Sequence, residues 1–200
     1  MQCDVQYHRS TPWQELIVGG QKSGKTRRAE QAARAWLDAD AQHRAVYVAT
    51  GQAWDAEMAQ RIARHQSDRA ARVPGMQTVE APLQLAQTLQ SHSDAQTLVV
   101  VDCLTLWLTN WMMPMEDAAQ PAGGTILAQD WPQQRALFLD VLAQCSGPVV
   151  VVGNEIGLGV IPLGQEVRAF VDALGTLNQD VARVCSRVTL MAAGLPLQLK

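Results

Sequence analysis

The chain has little that would commit it to a membrane, a nucleic acid or a disulfide framework. Its 200 residues carry a formal charge of only −3 at pH 7, with a pI near 5.8 and no basic stripe. That argues against a nucleic acid or an anionic membrane as the main partner and favours a small-molecule substrate. The four cysteines, Cys3, Cys103, Cys145 and Cys185, are widely spaced and form no Cys-x-x-Cys pair. They are expected to be reduced thiols of a cytosolic protein, not disulfides or a zinc site. No apolar run reaches the length of a membrane span, and the polar start of the chain lacks the apolar core of a signal peptide, so a cytoplasmic chain is expected. Internal repeats, low-complexity tracts and a Ser/Gly/Pro-rich linker are also missing. With 48% hydrophobic residues the chain can bury the core of one α/β domain. That domain is expected over 15–200, behind an N-terminal extension, 1–14, that contains Pro12 and no periodicity. Cys3 and His8 in the extension could ligate a metal or simply belong to a loose tail.

What the chain does have is Gly19-Gly20-Gln21-Lys22-Ser23-Gly24-Lys25-Thr26, which fits Gly-x-x-x-x-Gly-Lys-Ser/Thr. A β-rich run, Glu15-Leu16-Ile17-Val18, precedes it, and a helix-forming segment over 26–37 follows. Strand, glycine-rich turn and helix in that order read as a P-loop, with all eight residues as nucleotide ligands. The chemistry explains the spacing. Glycines let backbone N–H groups fold around polyphosphate oxygens, and the helix N-terminus adds positive potential. Lys25 reaches the β- and γ-phosphates, and the Thr26 hydroxyl ligates Mg²⁺. A second strand, Thr97-Leu98-Val99-Val100-Val101-Asp102, closes an apolar run with an acid. Its carboxylate, at the carboxyl edge of a sheet, would hold the Mg²⁺ water shell.

The rest alternates between strand and helix. Ala45-Val46-Tyr47-Val48-Ala49 is a buried strand, and a helix runs from 55 to about 66 with Arg61 and His65 on one face at i, i+4. That face is either solvated or functional. A short strand at Gln77–Glu80 leads to a helix from Pro82 to Leu89 and a polar connection over 91–96. The tryptophan-rich segment 103–113 predicts a helix for the core or a subunit interface, and 116–124 predicts a loop, either a lid or simply disordered. A helix over 131–144, a buried strand Val149–Val152, a glycine-rich loop over 153–162 and a long helix over 166–184 follow. Residues 187–199 predict two strands joined around Ala193-Gly194. The fold class is α/β: a single P-loop NTPase-like domain, its sheet mostly parallel, with helices on both faces and a C-terminal edge hairpin.

Several stretches coincide in order: Gly19-Gly20-x-x-Ser23-Gly24-Lys25-Thr26, Tyr47-Val48-Ala49-Thr50, and Asp55-x-Glu57-Met58-x-x-Arg61-Ile62-x-x-His65-x-x-x-Arg69. Asp102-Cys103-Leu104-Thr105 with Trp107 and Asn110, Asn154-Glu155-Ile156-Gly157-x-Gly159-Val160-Ile161-Pro162, and Arg168-x-Phe170-x-Asp172-x-x-Gly175-x-x-Asn178-Gln179 complete the series. In this combination, from about Leu16 onward, the chain resembles the bifunctional adenosylcobinamide kinase and adenosylcobinamide-phosphate guanylyltransferase family of cobalamin biosynthesis. It departs from the family pattern at Val171, where the family has arginine, and over 163–166, so substrate contacts are not carried over there.

The resemblance implies ATP and GTP as substrates, Mg²⁺ as cofactor, a corrinoid as the small-molecule partner, a homotrimer, and His65 as the nucleophile that takes GMP from GTP. Arg61 and Arg69 are candidate phosphate ligands, each also able to make a structural ion pair. A guanylyltransferase without kinase activity and a P-loop regulatory NTPase are the competing expectations.

Overall fold

The computed structural model describes residues 12–113 and 123–200. In chain order the elements are β1 (Gln14–Gly19), α1 (Lys25–Ala39), β2 (Arg44–Ala49), α2 (Ala56–Arg72), β3 (Gln77–Glu80), α3 (Leu85–His92) and β4 (Thr97–Asp102). They continue with α4 (Leu104–Met112), α5 (Gly123–Gln144), β5 (Val149–Val152), α6 (Gln165–Val184), β6 (Arg187–Ala192) and β7 (Leu195–Gln198).

The central strands are near-continuous runs of branched apolar residues because both of their faces are covered. Side chains alternate between the faces with period two. In β4, Val99 and Val101 enter one core while Leu98 and Val100 enter the other; in β5, Val149 and Val151 part in the same way from Val150 and Val152. The larger core is closed by α3 to α6, where Trp107 meets Trp131 edge-on at 5.0 Å and Phe138 at 5.1 Å. Each fully buried leucine or phenylalanine there contributes about 1.5–3 kcal/mol. On the opposite face α1 packs through the buried Ala29, Ala32 and Ala33, with Trp36 and Leu37 partly buried beside them.

All strands form one seven-stranded sheet in the order β3-β2-β4-β5-β1-β6-β7. Every pairing is parallel except the terminal hairpin β6–β7. The parallel register brings the carboxyl ends together: Gly19 lies beside Met191, and Asp102 lies between Ala49 and Val152. The fold class expected from the sequence is the one observed.

Several boundaries differ from the sequence expectation. Helix α2 continues to Arg72, six residues past 66, because Asp68 and Arg72 pair at i, i+4 and Arg69 is buried. Helix α3 starts beyond Pro82 and ends at His92. Helix α5 begins at Gly123 and carries Pro132 inside it, whereas the sequence reading starts it at 131. Of the loop expected over 116–124, residues 116–122 lie outside the described residues and Gly123 and Gly124 are helical. Strand β1 takes in Gln14, and Trp13 before it is buried. The core reading of the tryptophan-rich helix prevails, since Leu104, Trp107, Leu108 and Trp111 of α4 are buried within the chain itself. Cys103, Cys145 and Cys185 are buried free thiols, while Cys3 and His8 lie outside the described residues. No described helix is long and apolar enough to cross a membrane.

Candidate functional site

The turn from β1 to α1 is shaped by glycines at positions where a side chain would not fit. Gly19 has φ +154°, and a Cβ there would overlap the Met191 carbonyl oxygen and crowd Ser23 Oγ. Gly24, at φ 102°, caps α1 in the left-handed region. Neighbouring strand ends hold the loop in place. Gly194 N–H, in the β6–β7 turn, donates to the Ser23 carbonyl at 3.0 Å, and Glu155 N–H donates to the Gly19 carbonyl at 3.1 Å. Within this frame Ser23 Oγ is buried without a hydrogen-bond partner among the described residues. A buried hydroxyl of this kind is suited to a ligand oxygen. Gly20, Gln21 and Lys22 are exposed along the outer side of the loop.

Lys25 is 8% exposed, and its Nζ donates to the Gly20 carbonyl at 2.7 Å. Burial lowers its pKa from the ordinary lysine value, against the opposing pull of the Asp102 charge. A polyphosphate in the loop would give this ammonium the counter-charge that burial has taken away.

Asp102, at the end of β4, accepts two hydrogen bonds on one oxygen. Thr26 Oγ1 donates to Oδ2 at 2.8 Å and Tyr47 Oη donates to the same atom at 2.9 Å. Because Thr26 spends its proton on the carboxylate, its oxygen lone pairs stay available to a cation. A hydroxyl and a carboxylate side by side next to a phosphate cradle are hard oxygen donors, and they fit Mg²⁺. Tyr47 has its pKa raised well above the usual phenol value, first by burial and then by the Asp102 charge, so its hydroxyl is a hydrogen-bond donor at any physiological pH.

Helix α2 is capped by Asp55, whose side chain accepts from Met58 N–H at 2.7 Å. It is fastened at its other end. Arg69 is buried, lies over the Tyr47 ring at 3.6 Å and donates to Thr78 Oγ1 at 3.1 Å. Arg72 pairs with the buried Glu30 of α1 at 3.0 Å and with Asp68 at 3.2 Å. Earlier on the helix, His65 is half-buried and Arg61 exposed, neither with a hydrogen bond or ion pair among the described residues. The structure thus brings together Ser23, Lys25, Thr26 and Asp102, leaves Arg61 and His65 free on α2, and engages Arg69 with the fold.

Sequence reasoning gave Tyr47 no role, because its partner Asp102 lies 55 residues away and only the pairing of β2 with β4 brings them together. Other motif residues prove to be fasteners of the strand ends. Thr50 Oγ1 donates to the Cys103 carbonyl at 2.7 Å and accepts from Cys103 N–H at 2.8 Å. Asn110 donates to the Thr50 and Pro82 carbonyls, each at 2.8 Å. Thr105 accepts from Asn154 N–H at 3.0 Å, and Asn178 donates to the Asn154 carbonyl at 3.0 Å.

Residues 15–199 match the family model described as cobinamide kinase / cobinamide phosphate guanyltransferase. The chain is 44% identical over 186 residues to the bifunctional adenosylcobalamin biosynthesis protein CobP of Pseudomonas aeruginosa, covering 93% of this chain and 96% of the relative. It is 30% identical over 194 residues to the bifunctional adenosylcobalamin biosynthesis protein CobU of Escherichia coli, covering 92% and 98%. The CobU of Salmonella typhimurium is 29% identical over 187 residues, with the same coverage of 92% and 98%.

Proposed function

This chain belongs to the cobinamide kinase / cobinamide phosphate guanyltransferase family, and we propose that it carries out both reactions in adenosylcobalamin biosynthesis from one catalytic unit over 15–200. The observation that carries the reading is the meeting of Lys25, Thr26 and Asp102 at one end of the P-loop. A regulatory NTPase would share the loop but not the family.

In the first half, the free hydroxyl of adenosylcobinamide attacks the γ-phosphorus of ATP or GTP. The bond from that phosphorus to the β,γ-bridging oxygen breaks, the nucleoside diphosphate leaves, and the hydroxyl proton passes to solvent. Lys25 turns from the Gly20 carbonyl to the phosphate oxygens and, with the loop amides, stabilises the charge of the loose transition state. Thr26 and Asp102 would hold Mg²⁺, which would supply further neutralisation of the polyphosphate charge.

In the second half, a neutral imidazole nitrogen of His65 attacks the α-phosphorus of GTP. The bond to the α,β-bridging oxygen breaks, pyrophosphate leaves, and GMP stays on His65 as a phosphoramidate. A phosphate oxygen of adenosylcobinamide phosphate then attacks that phosphorus. The phosphorus–nitrogen bond breaks, its electron pair returns to the imidazole, and adenosylcobinamide-GDP is released. Arg61, one turn before His65 on α2, is proposed as a ligand to the transferring phosphate.

The working unit we propose is a cytoplasmic homotrimer. In its support, Leu158, Val160, Ile161 and Leu163 in the loop after β5 are 85%, 96%, 77% and 98% exposed, an apolar run that suits a subunit contact. The test of the covalent step is incubation with α-labelled GTP and Mg²⁺, comparing the wild-type protein with His65→Ala. Acid-labile label retained on the denatured wild-type protein and lost in the variant is expected. A protein that binds GTP yet takes up no label would overturn the step.

A further inference from the structure

We propose that Tyr47 and Arg69 are positioning residues for the Asp102 carboxylate, Tyr47 directly and Arg69 through the Tyr47 ring, and that the same Arg69–Tyr47 contact helps to seat the helix carrying His65. The inference rests on the reading of Asp102 as the cation-holding residue and goes beyond it.

Asp102 closes a strand at the sheet edge and is only half-buried, so two side-chain torsions would otherwise leave its carboxylate free to turn. Two donors on a single oxygen remove that freedom. Thr26 Oγ1 at 2.8 Å and Tyr47 Oη at 2.9 Å both converge on Oδ2, and no described hydrogen bond falls on Oδ1. The two donors differ in what else they must do. Thr26 also faces the nucleotide and changes its surroundings when phosphate and cation arrive. Tyr47 is 6% exposed within β2 and has only the carboxylate as its described hydroxyl partner, so it is the fixed member of the pair.

Arg69 in turn fixes Tyr47. Its guanidinium lies 3.6 Å from the centroid of the phenol ring and is itself 4% exposed. A cation taken out of water to this extent requires compensation, which here comes from the ring face and from Thr78 Oγ1 at 3.1 Å. Seated in this way, Arg69 does not present its guanidinium to a nucleotide as a free side chain would. It lies one turn after His65 on α2, so the contact that steadies Tyr47 also fastens the nucleophile's helix to the sheet. The Arg69–Tyr47 contact thus serves both the seat of α2, beside the Arg72–Glu30 pair, and the orientation of Asp102, beside Thr26.

The test is an electron paramagnetic resonance titration of Mn²⁺ on the full-length protein holding a non-hydrolysable GTP analogue, together with analogue binding in EDTA. Tyr47→Phe keeps the ring and removes the donor. It should weaken Mn²⁺ binding about three- to tenfold, the worth of one hydrogen bond to a charged group, and leave analogue binding in EDTA unchanged. Arg69→Met should weaken Mn²⁺ binding in the wild-type background and add nothing in the Tyr47→Phe background, because it acts through the phenol. Analogue binding in EDTA identifies any variant that has not folded; if Arg69→Met is one, Arg69→Lys, which keeps a cation near the ring, should retain most of the wild-type Mn²⁺ affinity. Wild-type Mn²⁺ affinity in Tyr47→Phe, or fully additive effects in the double variant, would overturn the inference. Asp102→Asn separates the two levels. Mn²⁺ affinity lost there but kept in Tyr47→Phe would overturn the positioning inference alone, whereas affinity unchanged in Asp102→Asn would overturn the cation reading itself.

Discussion

Cys103 follows Asp102 directly and is buried beneath it, and burial pushes its thiol up to about 12. Cys185 is likewise pushed up to about 12, and Cys145 is raised as well. Their unfolded counterparts ionise near 9.0. Below that pH both states keep the proton and the thiols do not affect stability; above it the unfolded chain loses protons that the folded chain retains, so folding weakens until the folded thiols also ionise near 12. Tyr47, raised for the same reason, acts in the same direction, whereas the lowered Lys25 acts against it. Between about pH 7 and 8.5 the thiols should therefore leave the urea midpoint unchanged, and above that it should decline as the pH is raised further. A midpoint that rises across the alkaline range would contradict the burial of these thiols. At this scale the P-loop was legible because phosphate chemistry dictates residue type at each position: Gly24 must turn through positive φ, and Lys25 must be a cation. The bond between Tyr47 and Asp102 was not, since nothing local marks a tyrosine in a buried strand as a partner of an acid on the next strand.

Helix α2 is held by its last turns. Glu30 on α1 has a side chain only 3% exposed, and Arg72 supplies its cation. Replacing Arg72 by alanine leaves a buried carboxylate unpaired, the costly way to break such a pair. Arg72→Ala should lower the melting temperature by several degrees, and Glu30→Gln added to it should recover part of the loss. Calorimetry of the three proteins checks this, and an unchanged melting temperature in Arg72→Ala would contradict the role given to the pair. The same contacts explain why the helix was read too short. Ser67 and Asp68 look like the polar exit of a helix, and only the tertiary partners of Arg69 and Arg72 show that it continues. Helix α5 likewise exceeds the sequence reading, at its other end: it begins at Gly123 and not at 131, with Pro132 inside it. Gln77–Glu80 and Val149–Val152, by contrast, were legible to the residue, since turn-forming residues bound a compact β-rich run on both sides.

For the whole molecule, one parallel sheet collects the ends of β1, β2, β4 and β5 at a single edge, which is why residues as distant as Thr26 and Asp102 meet at 2.8 Å. The order of strands is a long-range property that local periodicity does not carry, although the alternation of strand and helix restricts it to parallel arrangements. The proposed division of labour is that one site runs two chemistries that part at His65. Its most direct test gives wild-type protein and His65→Asn adenosylcobinamide, ATP, GTP and Mg²⁺ and follows the corrinoid products over time by mass spectrometry. His65→Asn should form adenosylcobinamide phosphate at the wild-type rate and accumulate it, with no adenosylcobinamide-GDP. Continued formation of adenosylcobinamide-GDP by the variant, or loss of the phosphorylation step along with it, would contradict the account.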